Sequence, residues 1–136
     1  RLITQDKERG TSMNEYKLKR HEIEKLGITT NNTQVERIPQ TKGGEWTIVT
    51  LHNTDIVKFK HTGGFLDQIL LDTGGYNTVT TRRRMNEVSK AYGLGFQVYQ
   101  KKHKLYVAYK GNDYEFDGGQ FTIKVVHQIP VSRSRS

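Results

Sequence analysis

Four glycine pairs constrain this chain more than any other feature: Gly43-Gly44, Gly63-Gly64, Gly74-Gly75 and Gly118-Gly119. Glycine reaches the positive φ that tight turns need, and it weakens a helix or strand that runs through it. Each pair is followed within two residues by an aromatic (Trp46, Phe65, Tyr76 or Phe121), a residue type well suited to opening a strand. The spacing between pairs is irregular, which argues against a repeat architecture. Short strands joined by turns are therefore expected.

The segments between the pairs bear this pattern. Residues 45–60, EWTIVTLHNTDIVKFK, read as a hairpin. Trp46, Ile48 and Thr50 fall on one side of its first strand, and Thr47, Val49 and Leu51 on the other. His52 to Asp55 supply the turn, Ile56 to Phe59 return, and Gln68 to Asp72 make a third strand. A helix is predicted over Val79 to Tyr92, with Thr78, Thr80 or Thr81 as N-cap and Gly93 as stop. Phe96 to Gln100 and Leu105 to Tyr109 form a second hairpin, followed by strands at Tyr114 to Phe116 and Phe121 to Val126. The fold class is α+β: a mainly antiparallel sheet in the order β-β-β-α-β-β-β-β with one packed basic helix.

The flanks are less patterned. Asn14 to Leu26 is an N-terminal helix candidate, with Asn14 as cap, Gly27 past its end, and a thin stripe of Tyr16, Ile23 and Leu26. Residues 27–44 are polar, contain Pro39, and read as a linker. The expected organisation is a flexible arm over residues 1–12 ahead of a start at Met13, an N-terminal helix and linker over 13–44, a single α+β domain over 45–126, and a flexible basic tail over 127–136.

Composition sets the class of partner. At 33% hydrophobic, the chain stays below the roughly 45–50% apolar content of an average domain even with its 13 glycines added, so one modest core is the expectation. The formal net charge is +8, which attracts polyanions non-specifically. Cysteine is absent, excluding disulfides, thiolate chemistry and cysteine-bound zinc. No apolar run approaches the roughly 20 residues that span a bilayer, so a soluble intracellular protein with no membrane partner is expected. No phosphate-loop or dinucleotide glycine pattern occurs, and no cofactor is expected.

The predicted helix carries most of the chemistry. Met85, Val88 and Tyr92 share a face suited to packing on a sheet, while Arg83, Asn86, Glu87 and Lys90 fall opposite. Arg82 and Ser89 occupy one flank and Arg84 the other, and Arg83 and Glu87 are spaced to pair. Cations near a helix N-terminus are disfavoured by roughly 0.3–1 kcal/mol each. An arriving phosphate reverses that sign, because free N–H groups and guanidinium groups converge on it. Arginine and asparagine on one stripe are also the side chains that read guanine and adenine edges.

Lys101, Lys102, His103 and Lys104 form the tip of the second hairpin, placed to grip phosphate. Tyr106, on the face opposite Leu105 and Val107, is the better candidate for stacking on a base, with Tyr99 as second choice. The candidate nucleic-acid-binding residues are thus Arg82, Arg83, Arg84, Asn86, Lys90, Lys101, Lys102, Lys104 and Tyr106. The plainer reading is a solvated helix face and a hairpin whose lysines discourage edge pairing. His52, Asp55 and His61 offer metal-ligand chemistry at no recognised spacing, and Asp67, Asp72, Asp113, Glu115 and Asp117 are scattered. No catalytic residue and no metal site are assigned. A small basic nucleic-acid-binding protein is the leading reading; a viral inhibitor docking on a host protein is the alternative, and a metal-dependent nuclease the third.

One resemblance narrows the setting. The run Thr54-Asp55-Ile56-Val57, Thr73-Gly74-Gly75-Tyr76, Thr78-Val79-Thr80-Thr81-Arg82 and Met85-Asn86, continuing to the Phe96–Tyr109 hairpin, resembles small accessory proteins of tailed bacteriophages over about residues 45–116. The resemblance implies a viral accessory protein acting in the host cytoplasm. It carries over no site residues.

Overall fold

The computed structural model describes residues 15–125. Asn14, Met13, Val126 and the arm and tail expectations lie outside the described residues. In chain order the elements are β1 (Tyr16–Lys17), α1 (Arg20–Leu26), β2 (Thr33–Pro39), β3 (Glu45–Leu51), β4 (Thr54–Thr62), β5 (Phe65–Leu71), α2 (Val79–Tyr92), β6 (Phe96–Lys101), β7 (Lys104–Tyr109), β8 (Asn112–Phe116) and β9 (Phe121–Lys124). From β3 onward this is the expected β-β-β-α-β-β-β-β order, and the fold is α+β.

The strands of the described residues form two antiparallel sheets. One has six strands in the order β1-β2-β3-β4-β5-β9, and the other has three, β6-β7-β8. The segment α2-β6-β7-β8 is thus inserted between two neighbours of the large sheet, β5 and β9. One face of the large sheet carries Val35, Thr47, Val49, Leu51, Val57, Phe59, Ile69, Leu71 and Ile123, all buried. α2 contributes Met85 and Val88, and the small sheet contributes Phe96, Val98, Leu105, Val107 and Phe116, to the same core. Phe121 of β9 packs on Phe116 of β8 with ring centroids 5.6 Å apart, joining the sheets. Alternation on β3 therefore sends Thr47, Val49 and Leu51 inward.

A register shift at Val49/Thr50 sets Val57 opposite Val49 but Asp55 opposite Thr50, leaving Ile56 as the extra residue. The bulge lets two consecutive residues, Ile56 and Val57, both reach the core.

The N-terminal region differs from the sequence expectation. The helix is only seven residues long, and Tyr16 and Lys17 pair with Arg37 and Glu36 as a strand. The first turn of α1 is held by Glu22, whose carboxylate accepts from the Lys19 backbone N–H at 2.7 Å and from the Tyr16 hydroxyl at 2.6 Å. Residues 33–39, within the expected linker, are instead β2, paired with all seven residues of β3. Only Val35 is a fully buried apolar side chain in that strand, so its pattern reads as polar.

Of the glycine pairs, the first three and Gly118 adopt positive φ. Strands open at Glu45, Phe65 and Phe121, whereas Tyr76 leads into α2 rather than a strand. At Gly74 the requirement is steric as well: a Cβ would sit 2.6 Å from Thr54 Oγ1 and Cγ2.

Candidate nucleic-acid interface

α2 has the boundaries its caps dictate. Thr78 accepts the Thr81 N–H on its hydroxyl at 3.1 Å, and Gly93 ends the helix at φ 65°. Its first turn holds no acid, and Arg82, Arg83 and Arg84 follow directly on that turn.

These three arginines have different fates. Arg84 is buried. Its Nη1 donates to Thr33 Oγ1 at 2.7 Å and to Asn31 O at 3.3 Å. Its Nε lies 3.3 Å from Glu87 Oε1 without hydrogen-bond alignment. Glu87 in turn accepts from Thr29 N at 2.8 Å and Thr29 Oγ1 at 3.0 Å. The ion pair on this helix is therefore Arg84–Glu87, not Arg83–Glu87, and it fastens α2 to the loop ahead of β2. Arg82 is half-buried and donates to Asn77 Oδ1 at 2.6 Å, while Arg83 is exposed.

Asn86 is also committed to structure. Its Nδ2 donates to Val98 O at 2.9 Å and its Oδ1 accepts Val98 N at 2.7 Å. One turn on, Ser89 Oγ donates to Phe96 O at 2.7 Å and accepts Phe96 N at 3.0 Å. β6 is an edge strand, and these two side chains satisfy its outward backbone groups as a neighbouring strand would.

That docking sets the geometry of the surface. Ser89 meets Phe96 and Asn86 meets Val98, so α2 and β6 run antiparallel. The N-terminal half of α2 therefore lies beside the C-terminal end of β6. Between them is a shallow groove of about 520 Å³ lined by Val79, Arg82, Arg83, Lys90, Tyr99 and Gln100, among others. Among the described residues it brings three cations together against one carboxylate, Glu87, which is already bonded to Thr29.

The lysine hairpin begins where this groove ends. Lys101 pairs with Lys104, and Lys101, Lys102, His103 and Lys104 are all exposed. Lys102 and His103 both adopt positive φ, 52° and 68°. Asn and Gly take that conformation most easily in a two-residue turn. Lysine and histidine there impose a local strain.

Tyr99 and Tyr106 stack on each other at 5.4 Å between centroids and 21° between planes. Tyr99 is the member that lines the groove, and Tyr106, its cross-strand partner on β7, does not; both are half-buried. Desolvation, then a hydrogen bond with Asp113, pushes the Tyr99 phenol above its ordinary 10.0. Arg82, Arg83, Lys90 and the lysine tip are thus brought to one surface, while Arg84, Asn86 and Tyr106 are held by the protein itself. Val79, Tyr99 and Gln100 complete the groove; the alternation of β6 marks Tyr99 but does not reveal that α2 lies beside it.

The metal-type candidates are not assembled. His52 and Asp55 are at one end of the β3–β4 hairpin, and His61 is at the other, against Phe59. Among the described residues no group of three or more His, Asp or Glu side chains is placed to hold a metal ion. Among the described residues no helix is long and apolar enough to cross a membrane.

On the other side of the first turn of α2 is a deeper cleft of about 580 Å³. Leu51 and Ile56 form its floor, the tip residues His52, Asn53 and Thr54 one wall, and Thr73, Tyr76, Thr80 and Thr81 the other. No sequence signal pointed here, because the two walls are separated along the chain and meet only in the fold.

Fold and surface together define a small, mainly antiparallel α+β protein with a cationic groove between a helix and a sheet edge. The chain belongs to the Kyanoviridae Gp96 protein family, whose model matches residues 11–123. It is a phage protein, and the match extends the bacteriophage resemblance on both sides of residues 45–116. No curated protein and no solved structure matches the chain.

Proposed function

We propose that this phage protein is an accessory nucleic-acid-binding protein that acts inside the host cell. The observation that carries this reading is the convergence of Arg82, Arg83 and Lys90 on one groove beside Tyr99, with the exposed Lys101–Lys104 tip continuing from the same strand. Guanidinium and ammonium groups along a groove neutralise successive phosphates, and each neutralised phosphate releases counterions. The overall charge of +8 adds long-range attraction. Phosphate contact falls to Arg82, Arg83, Lys90, Lys101, Lys102 and Lys104. Asn86 lines the groove with its amide already bonded to Val98, and Arg84 and Tyr106 lie outside the lining.

The test is the salt dependence of binding to labelled DNA and RNA. Affinity should fall steeply with salt, and Arg82→Ala/Arg83→Ala should lower the slope of log K against log salt by roughly two units on duplex DNA. An unchanged affinity and slope in that variant would remove this surface from consideration. Binding to a host protein that survives nuclease treatment would favour the inhibitor reading instead.

A further inference from the structure

We infer that the threonine-lined cleft beside the α2 N-terminus takes one unpaired nucleobase, from a strand whose phosphates lie in the adjoining cationic groove. The inference rests on the proposed function and specifies its substrate as single-stranded.

Volume is the first argument. The cleft holds about 580 Å³, within the roughly 300–1,000 Å³ of small-molecule sites. Its chemistry is the second. Among the described residues no Lys, Arg, Asp or Glu lines it, so it suits a neutral group. Leu51 and Ile56 offer an apolar floor for a flat ring. His52, Asn53, Thr54 and Thr80 surround that floor, and their side chains form no hydrogen bond with the described residues. A nucleobase has this complement: apolar faces and a rim of donors and acceptors.

Tyr76 is the third argument. This large aromatic at the cleft rim is 68% exposed. Aromatic rings so placed provide stacking surfaces for bases of any sequence. Position is the fourth. Thr80 and Thr81 line the cleft while Val79 and Arg82 line the groove, so the two sites share the start of one helix. Arg82 also bonds Asn77, the residue after Tyr76. A strand crossing this point can leave phosphate on Arg82 and turn its base toward Tyr76.

The experiment is fluorescence anisotropy with the full chain and four probes: a short single-stranded DNA, its blunt duplex, the same strand with abasic sites throughout, and a neutral oligosaccharide. The single strand should bind roughly tenfold tighter than either the duplex or the abasic strand. Tyr76→Ala should abolish that preference and leave the salt slope unchanged, and Asn53→Ala, on the opposite wall, should weaken it. Both residues are exposed, so neither variant threatens folding. Equal, salt-steep binding of single strand, duplex and abasic strand, unaffected by Tyr76→Ala, would overturn the base pocket and leave the nucleic-acid reading standing. Failure of every nucleic acid to bind would overturn both. Oligosaccharide binding that disappears in Tyr76→Ala would reassign the cleft to a carbohydrate.

Discussion

At the scale of single residues, consecutive arginines do different work. Arg84 gives up hydration to bond Thr33 and Asn31 and to sit against Glu87, joining α2 to the chain ahead of β2. Removing one partner of a buried charge network leaves the other groups unsatisfied, which is worse than never having built it. Arg84→Ala should therefore lower stability by about 2–3 kcal/mol, below the full value for a buried pair because Glu87 keeps its Thr29 bonds and some exposure. The urea midpoint reads this directly. Arg83→Ala, at an exposed position, should leave the stability within about 0.5 kcal/mol of wild type. The pair of variants separates structural from surface arginine, and a silent Arg84→Ala would refute the buried role. All three were candidate phosphate contacts on their charge alone. Helical periodicity places Arg84 on its own flank, but only residues 29–33, brought there by folding, make that flank an interior.

At the scale of elements, α2 acts as a partner strand for β6. Ser89 and Asn86 lie one turn apart on the helix, and Phe96 and Val98 are two residues apart on the strand. The helical rise of about 4.5 Å over three residues falls short of the roughly 6.6 Å between alternate strand residues, and side-chain reach makes up the difference. Each side chain supplies a donor and an acceptor, so a strand edge that would otherwise be open is closed without a strand. Asn86→Ala should free the Val98 N–H and C=O. Its signature is faster amide hydrogen exchange at Val98, with Phe96 still protected by Ser89 and a stability loss of about 1–2 kcal/mol. Unchanged exchange at Val98 would show that another group closes the edge. Sequence reasoning placed Asn86 on an outward stripe available to a base; the docked sheet occupies Asn86 and leaves Arg83 and Lys90 of that stripe exposed.

At the scale of the whole molecule, the inserted unit α2-β6-β7-β8 shares one core with the large sheet, a cluster that holds Met85, Val88, Leu105 and Phe116 together with Phe59, Ile69 and Leu71. Neither sheet has a complete apolar interior alone. The described chain should therefore unfold in one cooperative step. Trp46, the only tryptophan, reports on β3 of the large sheet, and amide exchange of Val107 reports on the small one. Coincident denaturant transitions from the two are expected; a small sheet that melts first would mean that the insertion is a separate unit. The functional surface depends on the same arrangement. The cationic groove exists only between the inserted helix and its sheet, and the cleft only where that helix meets the β3–β4 tip of the large sheet.

Much of this molecule was determined by local sequence. Thr78 and Gly93 set both ends of α2, because caps act within one turn of the groups they satisfy. The two hairpins and the inward face of the small sheet followed from period-two alternation around short turns, and the α+β class followed from their order. What lacked a local signal was decided by the tertiary structure. β2, with Val35 as its one fully buried apolar residue, is a strand because β3 offers seven residues of backbone partners. Tyr16 and Lys17 leave the expected helix because β2 is there to pair with them. Arg84 is interior, Asn86 is occupied and Tyr99 faces the groove for a common reason. Burial and hydrogen bonding depend on which distant segment arrives at a side chain. Charge and residue type, which sequence displays, say only what that side chain could do once something has arrived.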